Sequence, residues 1–118
     1  MAIITNKDEG LARQLADRFF SGVFAAVCGQ TPEGRPKPDP EIPGRALAVL
    51  GLDGPDTLLI GDSVIDLLTA KNCGADFLYA DWGYGDRETV GGARAAKNAD
   101  EVIEIVAGCQ IISSGTAE

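Results

Sequence analysis

The sequence predicts an α/β fold built on a parallel sheet, and three of its features carry that prediction. Apolar runs of four to six residues, the length of strands, alternate with segments of ten to thirteen residues whose apolar positions recur at helical spacing. The helical segments open on residues suited to capping and close on glycines. Residues at the predicted strand ends, Thr5, Gly29 and Asp62, could face a common ligand. Strands joined through helices run parallel with right-handed crossovers, giving a three-layer, Rossmann-like open sheet covered on both faces. Ligands of such sheets bind outside the carboxyl ends of the strands.

The elements follow in order. Ala2 to Thr5 reads as a short buried strand. Asp8 is suited to cap the next segment, where Leu11, Leu15, Phe19 and Phe20 recur at helical spacing until Gly22. Val23 to Cys28 predicts a second strand, and Gly29 to Asp39 a loop crowded with glycine, proline and charge. Asp39 and Pro40 open a second helix through Ala46, Leu47, Val49 and Leu50, which Gly51 stops. Thr57 to Ile60 is the third predicted strand, Ser63 to Cys73 the third helix, closed by Gly74, and Phe77 to Ala80 the fourth strand. The stretch from Trp82 to Gly92 reads as irregular, with a helical turn near Arg87 to Val90. Ala99 to Ile103 predicts a short edge strand, Glu104 to Ala107 the start of a last helix, and the residues from Ser113 a frayed polar tail. This organisation gives one core domain over residues 1–107 and a tail over residues 108–118.

Bulk properties narrow the function. With 118 residues, 45% of them hydrophobic, the chain can bury the core of one domain. A net charge of −8 repels phosphate backbones, which argues against a nucleic-acid partner. There is no histidine, which excludes histidine general-base chemistry and histidine-ligated zinc. Cys28, Cys73 and Cys109 are odd in number and widely spaced, fitting reduced thiols in a cytoplasm better than a disulfide framework. No apolar run reaches transmembrane length, and the chain opens directly on a strand-like segment without a visible signal peptide.

Three segments carry the candidate chemistry. In Leu59-Ile60-Gly61-Asp62-Ser63-Val64-Ile65-Asp66, two carboxylates lie four residues apart across a strand-to-helix junction. Their hard oxygens suit Mg²⁺, which keeps several waters and bridges to phosphate. The same residues can equally serve the helix alone, with Asp62 and Ser63 as caps and Asp66 as a solvated first-turn acid. In Arg35-Pro36-Lys37-Pro38-Asp39-Pro40, prolines stiffen the loop around a cation able to neutralise phosphate charge. An isolated lysine there would be an exposed turn residue. Thr5 and Asn6 offer a hydroxyl and successive N–H groups that can cradle phosphate oxygens, or simply shape the entry to the next helix. Lys7 reads as surface charge.

In this order and at these separations, the segments resemble the haloacid dehalogenase superfamily of phosphohydrolases, and within it the phosphoglycolate phosphatases and their near relatives. The resemblance runs from Ala2 to about Val106 and includes Phe77-Leu78-Tyr79-Ala80, Trp82-Gly83-Tyr84-Gly85 and Ala99-Asp100-Glu101-Val102-Ile103. It implies that Thr5, Asn6 and Lys37 bind the phosphoryl group, with Lys37 and Asp62 serving the reaction. It also implies Mg²⁺ as cofactor, Asp62 as its direct ligand and Asp66 as the supporting acid. The partner would be a small phosphorylated metabolite or inorganic phosphate, with no nucleic acid or membrane involved.

One departure stands out. Members of the family carry an Asp-x-Asp strand, whose first aspartate attacks phosphorus and whose second acts as general acid and base, and usually a cap domain. No Asp-x-Asp occurs in these 118 residues. The resemblance places that strand at the sheet centre, between the strands ending at Thr5 and Ile60. The sheet is therefore expected to be incomplete at its central strand. Three remedies are open: direct pairing of those two strands, a strand from another chain in a homo-oligomer or complemented assembly, or a fold-back of the segment near Ile111-Ile112. We expect one of the first two, because the tail is so polar. The function implied is the core of a Mg²⁺-dependent phosphomonoester hydrolase with little or no turnover on its own. The alternative is a non-catalytic truncated protein acting as an interaction or strand-accepting module.

Overall fold

The computed structural model describes residues 1–83, 85 and 87–109. Among the described residues, strands and helices alternate as expected as far as β4. Strand β1 spans Ala2–Asp8 and leads directly into helix α1, Glu9–Phe19, with the Asp8 carboxylate accepting the Leu11 N–H at 3.0 Å as a cap. Gly22, at φ 75°, sits in the turn that follows, and β2 begins only at Ala26, running to Gln30. Helix α2 spans Glu41–Leu50; Asp39 Oδ1 accepts the Glu41 N–H at 2.9 Å, and Gly51 closes the helix in the left-handed region. Strand β3, Leu58–Gly61, passes through Asp62 to α3, Val64–Cys73, capped by the Ser63 hydroxyl and stopped by left-handed Gly74. Strand β4 is Asp76–Ala80, and a 3-10 turn spans Arg87–Val90.

The last elements differ from expectation. The edge strand, β5, is only Ala95–Ala96, and Ala99 to Ile103, expected as a strand, opens helix α4, Ala99–Cys109. Local capping explains the change. Asn98 Oδ1 accepts the Glu101 N–H at 2.9 Å, and Glu101 Oε2 accepts the Lys97 N–H at 2.8 Å, satisfying donors that a helix start leaves open. The tail expected from Ser113 lies outside the described residues. No helix is long and apolar enough to cross a membrane among the described residues.

The strands are parallel throughout but form two separate sheets, β1–β2 and β3–β4–β5. Ala26 and Cys28 of β2 pack on Ile42 and Ala46 of α2, with Ala2 and Ile4 of β1 at the margin of that cluster. Helix α1 buries Ala12 and Ala16. In the other half, Leu78, Tyr79 and Ala80 of β4 are buried.

Among the described residues no strand joins β1 to β3, and these two strands do not pair with each other, so of the two favoured remedies direct closure of the sheet does not occur. Instead an apolar slot of about 630 Å³ lies between them, walled by Ile3 and Ile4 on one side and Leu58 and Ile60 on the other. Its effect on burial is an inversion. No residue of β1 is fully buried, and Ile60 is 41% exposed, whereas Leu78 on the neighbouring strand is 0% exposed.

Candidate functional site

The site residues converge where β1 and β3 end. The chain after β2 crosses from one half-sheet to the other and brings Lys37 between them. Asn6, at the end of β1, holds the Lys37 backbone from both sides: its Oδ1 accepts the Lys37 N–H at 2.7 Å, and its Nδ2 donates to the Lys37 carbonyl at 3.3 Å. The Lys37–Pro38 peptide bond is cis. From α3, Asn72 donates to the Pro38 carbonyl at 2.8 Å. The backbone around the lysine is thus fixed by an amide side chain from each half of the molecule.

The lysine side chain then reaches α3. Its Nζ donates to Asp66 Oδ1 at 2.7 Å, and both side chains are only 12% exposed. The second oxygen of Asp66 accepts the Asp62 N–H and the Ser63 hydroxyl, each at 3.1 Å. Three donors on one carboxylate satisfy its oxygens and fix its position, which is what makes a nearly buried ion pair tolerable. Asp66 is therefore not a solvated first-turn acid; it is the hub that aims Lys37. Ser63, not Asp62, supplies the helix cap.

Asp62 is held against a glycine-bearing segment. A Cβ on Gly83 would lie 2.3 Å from Asp62 Cβ and Oδ2, and one on Gly85 would lie 1.5 Å from the Asp62 carbonyl oxygen. Only glycine permits so close an approach. The Tyr79 hydroxyl, donating to the Gly85 carbonyl at 2.9 Å, anchors that segment to β4. Thr5 stands next to Asn6 with its Oγ1 accepting the Lys7 N–H at 3.1 Å. Thus Asn6, Lys37, Asp62 and Asp66 form one connected group, and Thr5 flanks it. Sequence spacing does not mark Ser63, Asn72 or Gly83 as site residues. Ser63 was visible as a cap, but nothing local marks Asn72, a polar residue in the last turn of a helix.

A second polar cluster braces the other side of β2. Arg45 of α2 donates to the Gly29 carbonyl at 2.6 Å, to Glu41 at 3.2 Å and to Glu9 of α1. Glu9 in turn accepts the Gly29 N–H at 3.1 Å. The Arg45 hydrogen bond, then the Gly29 N–H, hold the Glu9 carboxyl below its ordinary value, and Glu9 raises Arg45. Burial pushes the Cys28 thiol up, as befits a small core side chain.

Among the described residues no three His, Cys, Asp or Glu side chains gather into a ready-made metal group. The donor set still fits Mg²⁺, which needs only one or two carboxylates and fills its octahedron with water and phosphate oxygens. Asp66 is engaged by three donors, and Asp62 lies beside it where β3 ends, so these are the two carboxylates that could hold the ion.

Comparison with known proteins gives the family and the fold. Residues 1–80 match the model of a family described as haloacid dehalogenase-like hydrolase. The chain is 37% identical over 89 residues to a phosphoglycolate phosphatase of Neisseria gonorrhoeae, covering 73% of this chain and 37% of that protein. It is 32% identical over 85 residues to one of Aquifex aeolicus, covering 71% and 40%. The fold is similar to a haloacid dehalogenase-like family protein of Streptococcus pneumoniae, with a TM-score of 0.77, 26% identity, and coverage of 88% of this chain and 50% of that one. The chain thus spans about two fifths of the length of these two curated relatives.

Proposed function

The chain belongs to the haloacid dehalogenase-like hydrolase family, and from that premise we propose that it forms the phosphate- and metal-holding core of a Mg²⁺-dependent phosphomonoester hydrolase of the phosphoglycolate phosphatase type. The observation that supports this reading best is the Lys37–Asp66 pair, 2.7 Å long and nearly buried, set where β1 and β3 end. In this reading Lys37 neutralises a phosphoryl oxygen, and Thr5 and Asn6 line the same pocket. Asp62 ligates Mg²⁺ directly and Asp66 supports it. Bound Mg²⁺ would draw charge from the phosphate oxygens. The fixed Lys37 backbone means that the cation meets the phosphate without first being ordered.

The nucleophile must come from elsewhere, because these residues contain no Asp-x-Asp. An oligomer or a complementing chain that fills the central strand position is therefore part of the proposal. So is a cytoplasmic setting, supported by the free thiols Cys28 and Cys73.

The test is binding first and turnover second. Calorimetry should detect inorganic phosphate binding in the presence of Mg²⁺, weakened about tenfold by Lys37→Ala and by Asp62→Asn. Absence of binding by the unaltered chain sinks the reading. Phosphate release from phosphoglycolate should be negligible for the chain alone. Release that both variants abolish would mean that a nucleophile reaches the site within these residues after all. The slot between β1 and β3 favours a second reading, a non-catalytic interaction module, which would bind a partner and no phosphate.

A further inference from the structure

The segment that carries Lys37 leaves β2 at Gln30 and enters α2 at Glu41. A polar connection of this length is mobile unless side chains tie it down. Gln30 Nε2 closes its first turn, donating to the Thr31 carbonyl at 3.1 Å and to the Gly34 carbonyl at 2.6 Å. Glu41 Oε2 then accepts the Arg35 N–H at 3.0 Å, two residues before Lys37. The other oxygen of Glu41 accepts from Arg45 Nε at 3.2 Å. At the start of the segment, Arg45 Nη2 donates to the Gly29 carbonyl, and Nη1 donates to Glu9, which also accepts the Gly29 N–H. One guanidinium therefore reaches both ends of the segment. It reaches the end of β1 as well. Glu9 follows β1 directly, and a Cβ on Gly29 would lie 2.6 Å from the Lys7 carbonyl oxygen. Lys7 adjoins Asn6, the residue that holds the Lys37 backbone.

We propose that Arg45 is a positioning residue for Lys37, acting through Glu41 on Arg35 and through Glu9 and Gly29 on the start of the same segment. It touches neither the lysine nor the place where a phosphoryl group would sit. With Gly29 and Arg35 both held, few backbone arrangements remain for the residues between them, and Lys37 is set where β1 and β3 end before a ligand arrives. A group placed ahead of binding spares the complex the cost of ordering it. The planar fork of arginine suits the task, because its fixed donor directions serve three acceptors at once. The ammonium of lysine is a point charge on a flexible stem and does not reproduce that fork. The effect on Lys37 stands on the hydrogen bonds alone; the effect on phosphate rests on the proposed function.

The test compares the purified 118-residue chain with Arg45→Met, Arg45→Lys and Glu41→Ala. Leu78→Val, a core change in the other half-sheet, controls for lost stability. Amide exchange is read without phosphate, and binding of inorganic phosphate with Mg²⁺ is read by calorimetry. Arg45→Met and Glu41→Ala should each speed exchange of the Lys37 N–H by at least about tenfold, and Leu78→Val should not. Arg45→Lys should behave as Arg45→Met does, because charge without the fork does not hold the segment. Arg45→Met should weaken phosphate binding at least about fivefold, but less than about twofold once Lys37 is already alanine, since the two act along one route. Unchanged exchange at Lys37 in Arg45→Met overturns the proposal. So does full retention by Arg45→Lys, or a phosphate loss as large in the Lys37→Ala background as in the unaltered chain. If Arg45→Met loses its far-ultraviolet dichroism, Glu41→Ala decides by the same criteria. Faster exchange at Lys37 in a chain that binds no phosphate would support the link from Arg45 to Lys37 and end the phosphate reading, so the two failures give different results.

Discussion

The gap between the half-sheets is latched at one end and open along its length. At the carboxyl end, Asn6 grips Lys37, Lys37 grips Asp66 and Asn72 grips Pro38, all at 3.3 Å or less. A few residues away, β1 and β3 face each other across an apolar slot with no strand between them among the described residues. The difference separates two kinds of order. Side-chain bonds to backbone need only their own two partners, so the polar end is complete by itself. A ladder needs a whole strand, so the apolar middle depends on something beyond these residues.

Substitutions on the two sides of this divide should behave very differently. The largest effect is expected at Ile42, which is 0% exposed in the packed half. Ile42→Ala should cost about 3–4 kcal/mol in urea denaturation. A loss below about 1 kcal/mol would mean that the half-sheet is not the rigid part. Next comes the latch itself. Asp66→Ala strands a nearly buried ammonium, and should cost about 2–3 kcal/mol and raise amide exchange around Lys37. Unchanged exchange there would show that Asn6 and Asn72 suffice.

A smaller effect should follow pH. Glu9 has a folded pKa below its ordinary 4.5. Its contribution to stability is therefore complete above that value and lost as pH falls through the lower folded one. Arg45→Met should cost about 1–2 kcal/mol at pH 7 and flatten the decline in melting temperature below pH 4.5. An acid limb of unchanged steepness would assign that decline to other carboxylates. The smallest effect belongs to the slot. Ile60→Ala, at 41% exposure, should cost less than about 1 kcal/mol in the isolated chain, although the residue sits in what would be a sheet interior. A loss equal to that of Ile42→Ala would mean that the slot is closed in solution.

The sequence revealed the strand-and-helix order through α3 because caps and glycine stops fall at the element ends: Asp8, Ser63, Gly51 and Gly74 all act as expected. It misassigned Ala99 to Ile103 because Val102-Ile103 resembles a strand, although Asn98 and Glu101 carried a helix-start signal three residues apart. The site was legible as a set of residue types but not as a set of bonds. Asn6 spends its side chain on the Lys37 backbone, and Asp66 is a hub rather than a surface acid. Neither follows from spacing, because both depend on a loop crossing between half-sheets. The Arg45 brace joins three elements far apart in sequence and leaves no local trace.

The open slot also bears on how the chain behaves in a test tube. Two exposed strand edges beside apolar surface are a template for uncontrolled stacking into aggregates. What opposes this is the net charge of −8, which keeps copies apart at neutral pH. That protection vanishes near the isoelectric point of about 4.4, and high salt screens it. Precipitation near that pH or in concentrated salt is the expected outcome, read by light scattering, and a strand that fills the slot would act as a solubiliser.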